Sequence, residues 1–464
     1  MPPRQVSSVP PQIPSLQEKV PTSAVRPAGG VGYLGLDVSQ AEVTACLLLP
    51  DGREAVRRWT VPNTQPGADA LATRVAILAG EKQLSGVAIG MEATNLYWWH
   101  LACLLRDTPL LAGLWHEVYV LNPGLVAGLK RAYPTGGKTD CRDAFFIAER
   151  LRVGRLPAPF QVDVLYAPLQ RLTRFRAHLA QSLAREKNYF LSFLWLKFSA
   201  FSQEKPFGDP FGATSTVVLD QYAVEDLVQW PADELAAFLQ AQGRGSFDDP
   251  ASVAAALTKA ARQSYHLDHV LAEPVSLVLA TTMATIRTLQ AQLTLVDKTI
   301  ARTLAAIPAA RRTISSVPGL GAVWTAGLVA EIGSIHRFAA DAALAQYAGL
   351  VWHPYESGAF QAQDTTMSKA GNAYLRYYLV EAANSVRLHC AEYQAFYAAK
   401  LAQSPKHDHK RAVVLTARKL VRLIDALLRA GALYQPQDRE EGQTAPHAAR
   451  PRPQRRARLA TAAS

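Results

Sequence analysis

Apolar residues follow two rhythms along this chain: short unbroken runs in the first third, and recurrences every three or four positions in the rest. Residues 31–49 read as a strand, a short turn and a second strand, closed by the turn signal Pro50-Asp51-Gly52. Residues 84–91 and 117–121 form two further short strands, each flanked by helical stretches. Strands alternating with helices predict an α/β layered domain over residues 31–156.

Over residues 165–306 the spacing is helical almost throughout. Leu165, Leu169, Leu172, Leu179 and Leu183, and later Ile286, Leu289, Leu293, Val296, Ile300 and Leu304, keep approximate helical spacing. They predict two long helices packed as an antiparallel coiled coil. Between them, residues 206–273 begin rich in Gly, Pro and Asp and continue helical, which marks a small insert. A third, helical block over residues 312–434 ends in an amphipathic helix with Val413, Val414, Ala417, Leu420, Val421, Ile424, Leu427 and Leu428 on one face. Core packing accounts for that stripe. The basic side chains on the other faces (Lys410, Arg411, Arg418, Lys419, Arg422, Arg429) are either solvated or contact a nucleic-acid backbone. The pattern divides the chain into a proline-rich disordered lead-in (1–30), the α/β domain (31–156), a helical connector with insert (157–311), a helical domain (312–434) and a disordered basic tail (435–464). Arg450, Arg452, Arg455, Arg456 and Arg458 make that tail either a solvated end or an arm for phosphates.

Composition narrows the function classes. Hydrophobic residues make up 49% and charged residues 19%, with no run of 18 apolar residues and no charged start leading into an apolar stretch. Neither a membrane span nor a secretory signal is expected. Cys46, Cys103, Cys141 and Cys390 lie far apart without zinc-ligand spacing, which fits a reducing cytoplasm. The net charge of +11 favours a polyanionic partner, of which nucleic acid is the commonest.

The candidate chemistry is carboxylate chemistry. Asp37 ends the apolar strand Tyr33-Leu34-Gly35-Leu36-Asp37, and Glu92 ends Val87-Ala88-Ile89-Gly90-Met91-Glu92. An acid after a buried strand stands at the sheet's C-terminal edge, where open α/β sheets place their sites. Asp140 and Asp143 follow in Lys138-Thr139-Asp140-Cys141-Arg142-Asp143-Ala144, with Thr139 as the expected N-cap of a helix. A spacing of three puts both aspartates on one face of its first turn. Four such charges in one cleft require cations between them. Magnesium suits an all-oxygen site, and two ions about 4 Å apart would serve both oxygens of a phosphodiester exchange.

Tyr33-Leu34-Gly35-Leu36-Asp37-Val38-Ser39, Glu92-Ala93-Thr94 and Lys138-Thr139-Asp140-Cys141-Arg142-Asp143-Ala144 together resemble the three signatures of the DEDD transposases of insertion sequences, as does the linking Val120-Leu121-Asn122-Pro123. Asn95 departs from the glycine usual after Glu-Ala-Thr, but asparagine tolerates left-handed backbone. A second set follows in the family's order: Val317-Pro318-Gly319-Leu320-Gly321, Thr325-Ala326, Glu331-Ile332-Gly333, Tyr347-Ala348-Gly349-Leu350, Tyr355-Glu356-Ser357-Gly358, and Ser368-Lys369-Ala370-Gly371-Asn372 with Leu375-Arg376. The likeness spans about residues 32–156 and 314–428. It implies a ribonuclease-H-like N-terminal domain related to the RuvC Holliday-junction resolvases, with Asp37, Glu92, Asp140 and Asp143 as catalytic metal ligands. It also implies a helical domain whose Ser357 attacks DNA and holds it as a phosphoserine, activated where the two domains meet.

Among the residues expected near nucleic acid are Lys138, Gly319, Gly321, Lys369 and Arg376. Gly319 and Gly321 either let backbone amides approach a phosphate or only shape a turn. Arg387, Tyr374, Tyr377 and Tyr378 add a basic and aromatic mixture to that region. Ser368 is expected to cap a helix starting near Lys369. The resemblance further implies a structured RNA from the element that pairs with target and donor DNA, and a homo-oligomer, dimer or tetramer, in the cytoplasm of a bacterium or archaeon, associated with the nucleoid. An alternative is a structure-specific endonuclease of the Holliday-junction type using water. Leu34-Gly35-Leu36-Asp37-Val38-Ser39 also resembles the first phosphate loop of actin-like sugar kinases, but their later phosphate and adenosine motifs are missing after residue 100.

Overall fold

The structure is a computed structural model and describes residues 26–133, 140–154, 156–352, 356–357, 360–361, 366–403 and 408–436; at 132, 140, 141, 356, 357, 360 and 361 it describes the backbone only. Lys138, Thr139, Tyr355, Gly358 and the arginine-rich end fall outside these residues, as does most of the proline-rich lead-in. The chain forms two compact units that divide between Val162 and Asp163.

The first unit is built on a five-stranded sheet. Its strands are β1 (Val31–Val38), β2 (Glu42–Leu48), β3 (Glu54–Pro62), β4 (Gly86–Glu92) and β5 (Trp115–Leu121), in the spatial order β3-β2-β1-β4-β5. β1 and β2, and β2 and β3, run antiparallel, while β1, β4 and β5 run parallel. The expected strands are all present, and β3 is one the apolar pattern did not disclose. Its sequence keeps only Trp59 buried and carries Arg57 and Arg58 outward, as an edge strand can. β4 is the opposite case: all but its last residue are buried, because both faces of the sheet are covered.

On one face, Leu34, Leu36, Ile89 and Met91 share a core with Leu71 and Val75 of α1 (Gln65–Glu81) and Leu101 and Leu105 of α2 (Trp98–Asp107). On the other lie α3 (Pro123–Ala132) and α4 (Asp140–Val153), with Ile147 and Leu151 fully buried beside Ala88 and Leu121. Each such side chain stabilises the docked helix by about 2 kcal/mol. Glycine decides how close α4 comes. A Cβ on Gly35 would stand 2.0 Å from the Ala144 carbonyl oxygen and 2.5 Å from the Ala148 nitrogen, so only glycine lets β1 and α4 meet backbone to backbone.

The second unit is helical. α5 (Ala167–Lys197) and α11 (His269–Leu304) are the two long helices expected, and they run antiparallel: Leu169 shares a core with Ile300 and Leu304, while Phe190 and Leu194 share another with Met283 and Ile286. Arg176 and Asp297 pair across them at 2.6 Å. Among the described residues α11 is long and apolar enough to cross a membrane by length and composition; part of its apolar length is used against α5.

α6 (Phe201–Glu204), just before the insert, and the insert's α7 to α10 (Ala213–Gln221, Val224–Gln229, Ala232–Gly243, Pro250–Gln263) close their own core on the distal end of the hairpin. The proximal end shares a core with α12 (Pro308–Ser315), α13 (Ala322–Ile332), α14 (Asp341–Ala348), α15 (Ala373–His389), α16 (Ala391–Ala402) and α17 (Asp408–Ala430). The connector and the last helical block are therefore packed as one body at that end. β6 (Glu356–Ser357) and β7 (Phe360–Gln361) form a small hairpin between α14 and α15.

Candidate active site

Strand register places the first two acids side by side. Leu36 of β1 lies opposite Met91 of β4 in the parallel ladder, so Asp37 and Glu92 are the next positions on two neighbouring strands. Side chains alternate across a sheet. Leu34, Leu36, Ile89 and Met91 face α1 and α2, so Gly35, Asp37, Gly90 and Glu92 face α4. The glycine contact at Gly35 brings Ala144 against β1, and Asp143 is the residue just before it. Asp140 begins α4 one turn earlier.

The charges show what this placement achieves. The Lys130 ammonium, from the last turn of α3, lies 2.9 Å from Asp143 Oδ1 and 3.5 Å from Glu92 Oε1. Two acids from separate elements thus share one cation. The three side chains are 29%, 17% and 20% exposed for Lys130, Asp143 and Glu92, still reached by solvent and buried enough for charge to matter. Burial works against the Lys130 charge, but its hydrogen bond to Asp143 and the charges of Glu92 and Asp143 outweigh it and hold its pKa above the ordinary lysine value. Among the described residues, no three His, Cys, Asp or Glu side chains close together as the ligands of one ion would. What stands there is an ammonium between two carboxylates.

Loops around the pocket are tied down. Asn63 Nδ2 donates to the carbonyls of Ser39 and Tyr97, linking the turn after Asp37 to the loop after Glu92. Asn95 in that loop has φ +52°, the left-handed backbone that asparagine tolerates. Asn122 caps α3 by accepting from the Gly124 amide, which fixes the helix bearing Lys130. Lys130 and Asn63 carried no signal in the sequence: a lysine in a last helical turn and an asparagine before a helix are ordinary there.

In the second unit, Gly319 has φ +90°, and a Cβ there would stand 2.9 Å from the Val386 Cα. The Ser385 hydroxyl donates to its carbonyl at 2.7 Å. Gly319 therefore lets the α12–α13 turn rest on α15, while Gly321 begins α13 in open space. Both line an open cleft of about 490 Å³ with Ser315, Trp324 and His389. Ser357 pairs with Phe360 in the hairpin, whose base is closed by the Trp352–Met367 bridge. Lys369 is exposed with φ +53°. Arg376 donates to the carbonyls of Ala348 and Lys369 at 3.1 and 2.9 Å, so its guanidinium braces this loop.

Ser368 does not cap the helix as expected. α15 starts at Ala373, and Asn372 caps it by accepting from the Tyr374 and Leu375 amides. Positive φ at Lys369 and Gly371 keeps the chain out of a helix until then. Tyr378 is core, its hydroxyl donating to the Thr173 carbonyl, and Arg387 lies over the Tyr397 ring. The basic side of α17 is largely paired within the protein: Arg418 with Asp341, Lys419 with Glu392 and Arg429 with Asp425.

Among the described residues of this unit, the most buried charge is Glu331, fully buried at the end of α13. Arg174 grips it through two bonds of 2.7 and 2.9 Å, and Asn372 Nδ2 donates at 2.7 Å. Glu331 and Asn372 belong to the sequence motifs, but the motifs did not disclose that they meet.

Comparison with known proteins finds two matched regions, the first of which runs past the first unit through α5. Residues 34–198 match a family model described as Transposase, and residues 311–398 match one described as Transposase IS116/IS110/IS902 family. Among curated proteins, none matches the chain. Together the two regions take in both the carboxylate-bearing sheet and the serine hairpin, and the chain belongs to the IS110-type family of DEDD transposases.

Proposed function

We propose that this protein cuts and rejoins the DNA of an insertion sequence, with a carboxylate pocket that holds divalent magnesium and a serine that attacks the strand. The observation carrying this reading is the convergence of Glu92 and Asp143, from β4 and α4, on one cation at the C-terminal ends of parallel strands. The order β3-β2-β1-β4-β5, antiparallel on one side of β1 and parallel on the other, supports a ribonuclease-H-like reading of the first unit.

The donor set fits the ion. Asp37, Glu92, Asp140 and Asp143 offer only hard oxygen ligands, and the pocket already accommodates positive charge. These four residues would hold two magnesium ions, and the chemistry supplied there would be neutralisation of phosphate charge and activation of the attacking oxygen. Ser357 contributes the covalent step. Its Oγ forms a bond to phosphorus as the bond from phosphorus to a deoxyribose oxygen breaks, the serine proton leaves to a base and the freed sugar oxygen gains one. An incoming deoxyribose hydroxyl then reverses the exchange on a new strand, so the energy of the first bond is kept in the phosphoserine. An RNA partner that pairs with both DNAs, and an assembly of two or four copies, rest on the family likeness, the surplus of positive charge and the need to handle four strand ends.

Ser357→Ala separates this chemistry from hydrolysis. Incubated with the element's DNA ends, RNA and Mg²⁺, the variant is expected to give no joined product and no protein–DNA adduct on a denaturing gel, while Ser368→Ala keeps both. Cleavage that persists undiminished in Ser357→Ala would identify a nuclease that uses water.

A further inference from the structure

We propose that Lys130 is a resident counter-cation of the carboxylate pocket, holding Glu92 and Asp143 together until a divalent ion displaces its ammonium. The inference rests on the reading of that pocket as a magnesium site and adds a residue outside the four acids.

The geometry makes the two cations mutually exclusive. Lys130 Nζ is 2.9 Å from Asp143 Oδ1 and 3.5 Å from Glu92 Oε1, so it already contacts the two oxygens that would hold an ion. Magnesium takes oxygen ligands at about 2.0–2.1 Å. An ammonium left at its present contacts would stand within a few ångströms of a divalent charge, in a pocket whose walls are less than a third exposed. Like charges that close repel strongly. Entry of the ion therefore requires Lys130 to leave.

The fold lets it leave without moving its helix. Val126 is fully buried and Leu129 packs on the same core, so α3 stays anchored against the sheet. Only the flexible four-carbon stem of Lys130 has to swing. It starts in the last turn of α3, where the helix dipole favours an ammonium. With the ion absent, the same ammonium offsets repulsion between Glu92 and Asp143 and keeps the two acids facing one another.

The test uses the full-length protein and Mn²⁺ as the probe, with two readouts that do not depend on activity. In calorimetric titrations, Lys130→Met is expected to bind Mn²⁺ roughly tenfold more tightly than the unaltered protein, the scale on which one neighbouring charge shifts a carboxylate's equilibrium. In the unaltered protein, acylation of the Lys130 amine, read by mass spectrometry, is expected to rise severalfold when Mn²⁺ is added, while Lys419, paired with Glu392, stays constant. This second readout stands even where the variant folds poorly. Equal or weaker Mn²⁺ binding by a folded Lys130→Met, or Lys130 acylation that stays level or falls on adding Mn²⁺, overturns the proposal while leaving the metal site in place. Absence of Mn²⁺ binding in the unaltered protein and in Lys130→Met alike removes the metal site itself, and the proposal with it.

Discussion

Two charged clusters in this protein look alike on a list of contacts and differ in kind. Glu331 is fully buried and saturated: Arg174 grips both oxygens, and Gln170 and Asn372 donate to one of them. Glu92 and Asp143 are partly exposed and share a single ammonium between them. A buried carboxylate held by four donors from fixed side chains is a structural joint, here fastening α5, α13 and the start of α15. Two carboxylates with one cation retain free acceptor capacity and stay partly exposed to solvent. The number of fixed donors per charge, and the access of water, separate the joint from the site.

The comparison breaks first on activity. Asp143→Asn removes one charge from the pocket, and DNA cleavage with Mg²⁺ is expected to fall by more than roughly 100-fold, beyond what loss of an outer-shell partner costs. Its folding stability should change by less than about 1 kcal/mol, as for a partly exposed pair, checked by urea denaturation of the same preparation. Glu331→Ala should do the reverse. It leaves Arg174, whose side chain is 30% exposed, without its partner and empties a fully buried site, and the second unit is expected to lose about 1–3 kcal/mol, read as a shift in its unfolding midpoint. A Glu331→Ala protein as stable as the parent would mean that the buried pair carries no structural load.

Gly35→Ala probes the link between packing and site. Its Cβ would meet the Ala144 backbone at 2.0 Å, so α4 must shift and take Asp143 with it. A destabilisation of about 1–3 kcal/mol is expected, together with weakened Mn²⁺ binding. Unchanged binding with lowered stability would show that the pocket tolerates displacement of α4. The smallest effect belongs to Asn372→Ala, which loses the cap of α15 and one donor to Glu331. Thermal unfolding should show about 1–2 kcal/mol, with Mn²⁺ binding unaffected.

How much of this was legible in the sequence follows the same divide. β1, β2, β4 and β5 announce themselves because their apolar runs are buried by helices on both faces or by a neighbouring strand, and an acid at the end of such a run stands out. Asp37 and Glu92 are visible for that reason, and Asp143 through its spacing from Asp140. β3 was hidden because an edge strand with one buried residue, Trp59, has no alternation to read. Lys130 was hidden because a lysine in a last helical turn is the commonest of surface features, and its meaning lies in two acids brought in from other elements. The Arg174–Glu331 joint spans 157 positions, beyond the reach of any local pattern. Ser368 was assigned a cap that Asn372 provides, since two positive-φ residues delay the helix past it.

The most direct measurement is crystallographic: anomalous difference density from crystals grown with Mn²⁺ and a DNA end. The expected result is a peak bounded by the carboxylates of Glu92 and Asp143, with Asp37 among its ligands and the Lys130 ammonium moved away. A map with no peak there, from a protein that still cleaves that DNA in solution, would contradict the assignment of this pocket.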